Sequence, residues 1–125
     1  MATLNTRATA PIFTPPAGQI VGLASPSRGS SESSVWRVEL SASGATPAHQ
    51  LDREEIFVAL RGSATFTIDG ALVILSAGDT LCIPAGTPFD IMVGSDGLDA
   101  ICVAPVGTQA RFISGGEPFA PPWCV

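Results

Sequence analysis

The stretch "GATPAHQLDREEIFVALRG", Gly44 to Gly62, holds the chain's single histidine, His49, and places Glu55 six residues later at the head of the apolar run IFVAL. Side chains of an extended chain alternate between two faces. His49 and Leu51 therefore share one face of their strand, and Glu55, Phe57 and Ala59 share one face of the next. Glu54 points the other way from Glu55. Thr46–Leu51 and Glu55–Leu60 read as strands, and Arg61-Gly62 reads as the turn that closes the second, because glycine accepts a positive φ.

Outward from this stretch the same short-strand grammar repeats. Ala64–Ile68 and Ala71–Leu75 are joined by Asp69-Gly70, a pair suited to the two positive φ values of a type I′ hairpin turn. Ser76–Asp79 is a further turn, which leads into "GDTLCIPAGTPFDIMV", Gly78 to Val93. Thr80–Ile83, Phe89–Val93 and Leu98–Ala104 read as strands. On the amino side, Gln19–Ala24 is an apolar run and Ser25–Ser34 a polar connection. In Val35–Leu40, Trp36, Val38 and Leu40 alternate with more polar neighbours, the pattern of a half-buried strand. With 13 Gly and 11 Pro spread through the chain, few windows can hold a three-turn helix. Nine short strands with tight turns predict an all-β sandwich or barrel. We read residues 1–125 as one domain, its core at about 19–113, with Pro-rich arms at Met1–Pro16 and Gly115–Val125.

Composition narrows the chemistry. The chain has no lysine and no tyrosine, which removes side-chain Schiff bases, P-loop phosphate binding and phenolic acid–base roles. One histidine cannot supply a three-His zinc site or a 2-His-1-carboxylate iron triad. The formal charge is −5, with six arginines scattered among eleven acidic residues, so no nucleic-acid partner is expected. No segment reads as a membrane span. Cys82, Cys102 and Cys124 are widely spaced and odd in number, which fits free thiols in a reducing cytoplasm rather than a disulfide framework. Cys82 and Cys102 read as small core hydrophobes, and Cys124, near the end, as exposed. The apolar fraction of 46% exceeds what a small monomer readily hides, so a homodimer is expected.

The two quoted stretches resemble the paired motifs of the cupin superfamily. Gly44, His49, Glu55 and Gly62 match the first motif, and Gly78, Pro84 and Gly86 match the second. The resemblance implies a double-stranded β-helix, a jelly-roll barrel of two antiparallel sheets with a pocket between them. Carried over residue by residue, the family's metal ligands give His49 and Glu55 at two positions. Leu51 and Phe89 fall where two further histidines stand in the family, and Val93 replaces a frequent asparagine. No tightly held metal is therefore expected, and a weakly bound divalent ion would rest on His49 and Glu55. The resemblance also brings in metal-free epimerases and cyclases that work through acid–base side chains.

The expected site is thus a His49–Glu55 pair in an apolar pocket with Leu51, Phe57 and Phe89, binding a small molecule. Three readings stand at this point. The first is a metal-free acid–base enzyme of isomerase, cyclase or lyase type, with His49 as base and Glu55 orienting it or serving as acid. The second is a non-catalytic binder or sensor, and the third is an oxygenase-like metal enzyme with a reduced ligand set.

Overall fold

The computed structural model describes residues 1–125 and consists of strands joined by turns, with three single turns of 3-10 helix. Nine strands follow in chain order. They are β1 (Ile12–Phe13), β2 (Gly18–Ala24), β3 (Ser33–Leu40), β4 (Ala45–Leu51), β5 (Glu55–Ile68), β6 (Ala71–Ser76), β7 (Thr80–Ile83), β8 (Phe89–Pro105) and β9 (Ala110–Phe112). Every pairing between them is antiparallel.

Alternation does what the sequence implies in β3, where Ser34, Trp36, Val38 and Leu40 are buried and their neighbours are not. The Asp69-Gly70 connection is a true two-residue hairpin. Ile68 pairs with Ala71, and both turn residues have positive φ, 49° and 85°.

Two expected breaks turn out to be bends within continuous strands. β5 runs through Arg61-Gly62, and β8 joins Phe89–Val93 to Leu98–Ala104. The register of β5 against β8 slips twice, between Ala59 and Arg61 and between Gly62 and Ala64. Such bulges let a strand bend without ending. Gly62, at φ 75°, is required here on two counts, because a Cβ would also overlap the carbonyl oxygen of Gly97 on the facing strand.

Those bends fold one hydrogen-bonded network into two layers. One layer runs β1-β2-β3, the carboxyl half of β8, the amino half of β5, and β7. The other runs β9-β4, the amino half of β8, the carboxyl half of β5, and β6. Strands that change sheets at bulges are one way sandwiches make their corners. The result is the jelly-roll barrel of two antiparallel sheets that the motifs imply. No helix is long and apolar enough to cross a membrane.

The arms are more than extended tails. β1 adds an edge strand to β2. The last residues end in a 3-10 turn, Pro122–Cys124. There Phe13 meets Trp123 edge-on at 5.9 Å between ring centres. Ser34 Oγ donates to the Cys124 carbonyl at 3.0 Å. Cys124 is accordingly buried, not exposed, while Cys82 is exposed and Cys102 is fully buried.

Candidate functional site

The barrel holds a cavity of about 420 Å³ between its layers. Its wall comes from β2, β3, β4, the start of β5, the amino half of β8 and β9, and is completed by both arms. The only polar side chains on it are Thr46, His49 and Glu55, and no arginine lines it. Leu51 and Phe57 line it as the alternation implies.

β4 positions His49 through a local irregularity. Its pairing with β8 slips between Thr46, opposite Ile91, and His49, opposite Phe89. Pro47 lies in that slip and has no N–H to give a ladder. Thr46 Oγ1 accepts the Ile91 N–H at 3.1 Å, and the Pro47 carbonyl lies 2.9 Å from His49 Nδ1. A carbonyl can only accept, so Nδ1 carries the proton and the neutral ring keeps its free lone pair on Nε2. Burial lowers the His49 pKa below its ordinary value, opposed by the Pro47 hydrogen bond and by the charge of Asp90. The ring is neutral at pH 7.

The position expected to be pocket wall at Phe89 is different. Phe89 does not line the cavity, because the His49 ring lies against it at 4.4 Å between centres. Behind the imidazole, Phe89 joins Phe57 and Phe66 in a three-ring core cluster with centre distances of 5.1 to 6.1 Å. It backs the histidine rather than meeting a ligand.

Glu55 opens β5 in the opposite layer, paired with Ile83. It is 4% exposed, and its Oε1 is buried without a hydrogen-bond partner. Burial alone raises its pKa from 4.5 to about 8, because a carboxylate loses its hydration there and gains no compensating donor. The acid is therefore mostly protonated at pH 7. No hydrogen bond or ion pair joins it to His49, since the two approach the cavity from different layers. The expectation that Glu55 orients His49 is thereby corrected: the Pro47 carbonyl does so.

Two buried thiols sit in the field of Glu55. Burial first and its charge second hold Cys102 well above the ordinary thiol range and push Cys124 up to about 12. Thiols so suppressed are poor nucleophiles.

The sequence reading missed the far wall, formed by Phe112, Phe119, Pro121 and Trp123 with Pro15–Ala17. The Phe112 and Phe119 rings are 5.4 Å apart, and an isolated bridge pairs Ala110 with Phe119. Two aromatic residues within the eleven-residue tail Gly115–Val125 were the available signal.

Residues 36–104, more than half of the chain, match the cupin domain family. The chain belongs to the cupin family. Among solved structures it is similar to the polyketide cyclase RemF from Streptomyces resistomycificus, at 21% identity over 94% of this chain and 89% of that one, TM-score 0.80. It is also similar to a variant of the Bacillus subtilis oxalate decarboxylase, at 16% identity over 83% of this chain and 29% of that one, TM-score 0.76. A third is the DMSP lyase DddQ from Ruegeria pomeroyi DSS-3, at 26% identity over 70% and 47%, TM-score 0.64. The chain thus spans less than a third of the decarboxylase and about half of the lyase. No curated protein matches it.

Metal-dependent members of the family raise the question of a metal here. Nowhere do three or more His, Cys, Asp or Glu side chains come together as a ligand set. Leu51 and Phe89 carry no donor atoms, and His49 and Glu55, from different layers, leave only two ligands where a tightly held metal needs three or four. These residues do not fit a tightly held metal.

Proposed function

We propose that the protein is an acid–base enzyme acting on a small molecule in the barrel cavity, with His49 as the base and Glu55 as the acid. The observation that carries this reading is a partnerless, protonated carboxyl in an otherwise apolar chamber, facing a neutral imidazole across it. Environments that push two titratable groups in opposite directions are how one site keeps an acid and a base together at neutral pH. His49 Nε2 takes a proton from the substrate while the Glu55 carboxyl donates a hydrogen bond, then a proton, to an oxygen on it. That sequence serves isomerisation, cyclisation or elimination without a metal. The likeness to a polyketide cyclase is in keeping with it.

The test is solvent deuterium exchange at carbon beside the carbonyl of a panel of small ketones. Wild-type protein should accelerate exchange with or without a chelator. His49→Ala should lose about 10²-fold or more of that rate, the usual share of a positioned base. The rate should hold from below pH 6.5, where His49 stays neutral, and fall as Glu55 ionises near pH 8. Exchange that survives intact in His49→Ala would remove the assignment. Binding without any exchange would leave a non-catalytic binder.

The working form we propose is a homodimer. Leu72, Ile74 and Met92 are 74, 69 and 59% exposed, and Ile74 and Met92 flank Thr65 on one outer face. Their apolar side chains give a second copy a surface to meet about a two-fold axis, with Asp90, beside Thr67 in the Leu72 row, at its edge. Light scattering should give twice the 12.8 kDa chain mass, and Leu72→Asp with Ile74→Asp should halve it. A wild-type monomer at every concentration would contradict this. Three free thiols, one exposed, fit a reducing compartment such as the cytoplasm.

A further inference from the structure

We infer that the cavity takes an uncharged, ring-bearing carbonyl compound, its ring between the aromatic walls and its carbonyl oxygen at Glu55. This rests on the reading of Glu55 as the cavity's proton donor and names the class of molecule that such a donor would hold.

The first support is the absence of any countercharge. Six arginines are the only strongly basic side chains in the chain, and none lines the cavity. A carboxylate or phosphate ligand inside would be desolvated without the guanidinium or ammonium that such groups need. The second support is the shape of the walls. Trp36 on β3 and Phe57 on β5 stand in one layer, Phe112 on β9 and Phe119, bridged to β9 at Ala110, in the other, and Trp123 comes from the carboxyl arm. Large aromatic faces on opposite sides favour a flat ring between them.

The third support is the orphaned Oε1 of Glu55. A buried polar atom without a partner carries a penalty that a suitably placed ligand removes. With no arginine on the wall to hold it ionised, this buried carboxyl offers its hydrogen to a carbonyl. The competing occupant is an organic ammonium, which aromatic faces also attract. It would have to ionise Glu55 and strip water from two charges, with one fully buried carboxylate as its sole counterion. The neutral ligand needs neither step.

Three naphthalene derivatives of matched size separate these occupants by calorimetric titration near neutral pH. They are acetonaphthone, naphthoate and naphthylmethylammonium. The ketone should bind at least about tenfold more tightly than either ion, a margin that one unpaired buried charge comfortably exceeds. Glu55→Ala should weaken the ketone about fivefold, as expected for one neutral hydrogen bond. Glu55→Gln, whose amide still donates, should stay within about twofold of wild type. Tightest binding of the ammonium would make the cavity a cation site, and tightest binding of naphthoate would overturn the charge argument. Equal binding of all three, no binding of any, or a ketone indifferent to Glu55→Ala would each remove the inference. The titration needs no turnover. A ketone preference without deuterium exchange would defeat the acid–base reading and leave this one standing, whereas exchange without the preference would do the reverse.

Discussion

Glu55→Gln should stabilise the protein at pH 8.5 relative to its effect at pH 4.5, and the change between the two conditions should be several kcal/mol. In the folded chain Glu55 stays protonated up to about pH 8, whereas its ordinary value is 4.5. Between those values the unfolded chain has released a proton that the folded chain still holds. Ionisation therefore favours unfolding, and stability falls as pH rises through this window and then levels off above it. At about 1.4 kcal/mol for each pH unit, the full window corresponds to about 5 kcal/mol. Gln cannot ionise, so the variant should lack this slope. Its buried amide costs about 1–3 kcal/mol if left unpaired, but at every pH alike. His49 acts with the opposite sign. Its lowered pKa means that stability declines as pH drops below 6.5, and because both proteins contain it, it cancels from the difference. Urea unfolding of wild type and variant at a series of pH values provides the check. Parallel stability curves from pH 4.5 to 8.5 would show that Glu55 is not held protonated in the folded chain.

The largest loss of stability from the smallest change should come at the bend of β5. Gly62→Ala must place a side chain at φ 75° and also drive its Cβ into the carbonyl of Gly97. A left-handed non-glycine residue costs about 1–3 kcal/mol. Moving β8 away from β5 along a shared bend should bring the total above about 4 kcal/mol, in the range reserved for core disruption. Gly70→Ala serves as the control. It has a similar φ of 85° but open space around the added methyl group, so only the backbone cost of about 1 kcal/mol should appear. Thermal or urea unfolding of the two variants should differ by several kcal/mol. Equal effects would mean that the close approach of Gly62 to β8 plays no part in holding the layers together.

Gly62 also explains where local sequence reading stops. A glycine at positive φ ends a strand in a turn and bends a strand at a bulge with the same dihedral, so Arg61-Gly62 reads either way until its partner is known. That partner, Gly97, lies 35 positions away. Asp69-Gly70 carried no such ambiguity, because both flanking runs alternate and their pairing is local. Parity brought His49, Leu51, Glu55 and Phe57 inward correctly, since alternation is intrinsic to each strand. It could not say whether His49 touches Glu55, because that depends on which layer each strand joins. Nor could it separate Phe89 behind the imidazole from a residue on the wall. Cys124 departs from its expected exposure for a related reason. Nearness to a terminus predicts exposure only when the tail is undocked, and Ser34 and Trp123 help dock this one.

The docked arms have a consequence for how the cavity's contents can change. The barrel wall is regular and mutually constrained, so altering it risks the fold. The arm wall, Phe119 to Trp123 with Pro15–Ala17, meets the barrel through side-chain packing, one isolated bridge and a few single hydrogen bonds, such as Ser41 N–H to the Ala17 carbonyl and Ser34 Oγ to the Cys124 carbonyl beside it. Loops on a rigid scaffold are where proteins vary their function with least harm to their architecture. Exchanging Phe119 or Trp123 for smaller or bulkier residues would resize the chamber while His49, Glu55 and their backing strands stay in place. On the proposed reading, the acid–base pair belongs to the frame and the choice of ligand to the arms, so one could diverge, or be engineered, without the other.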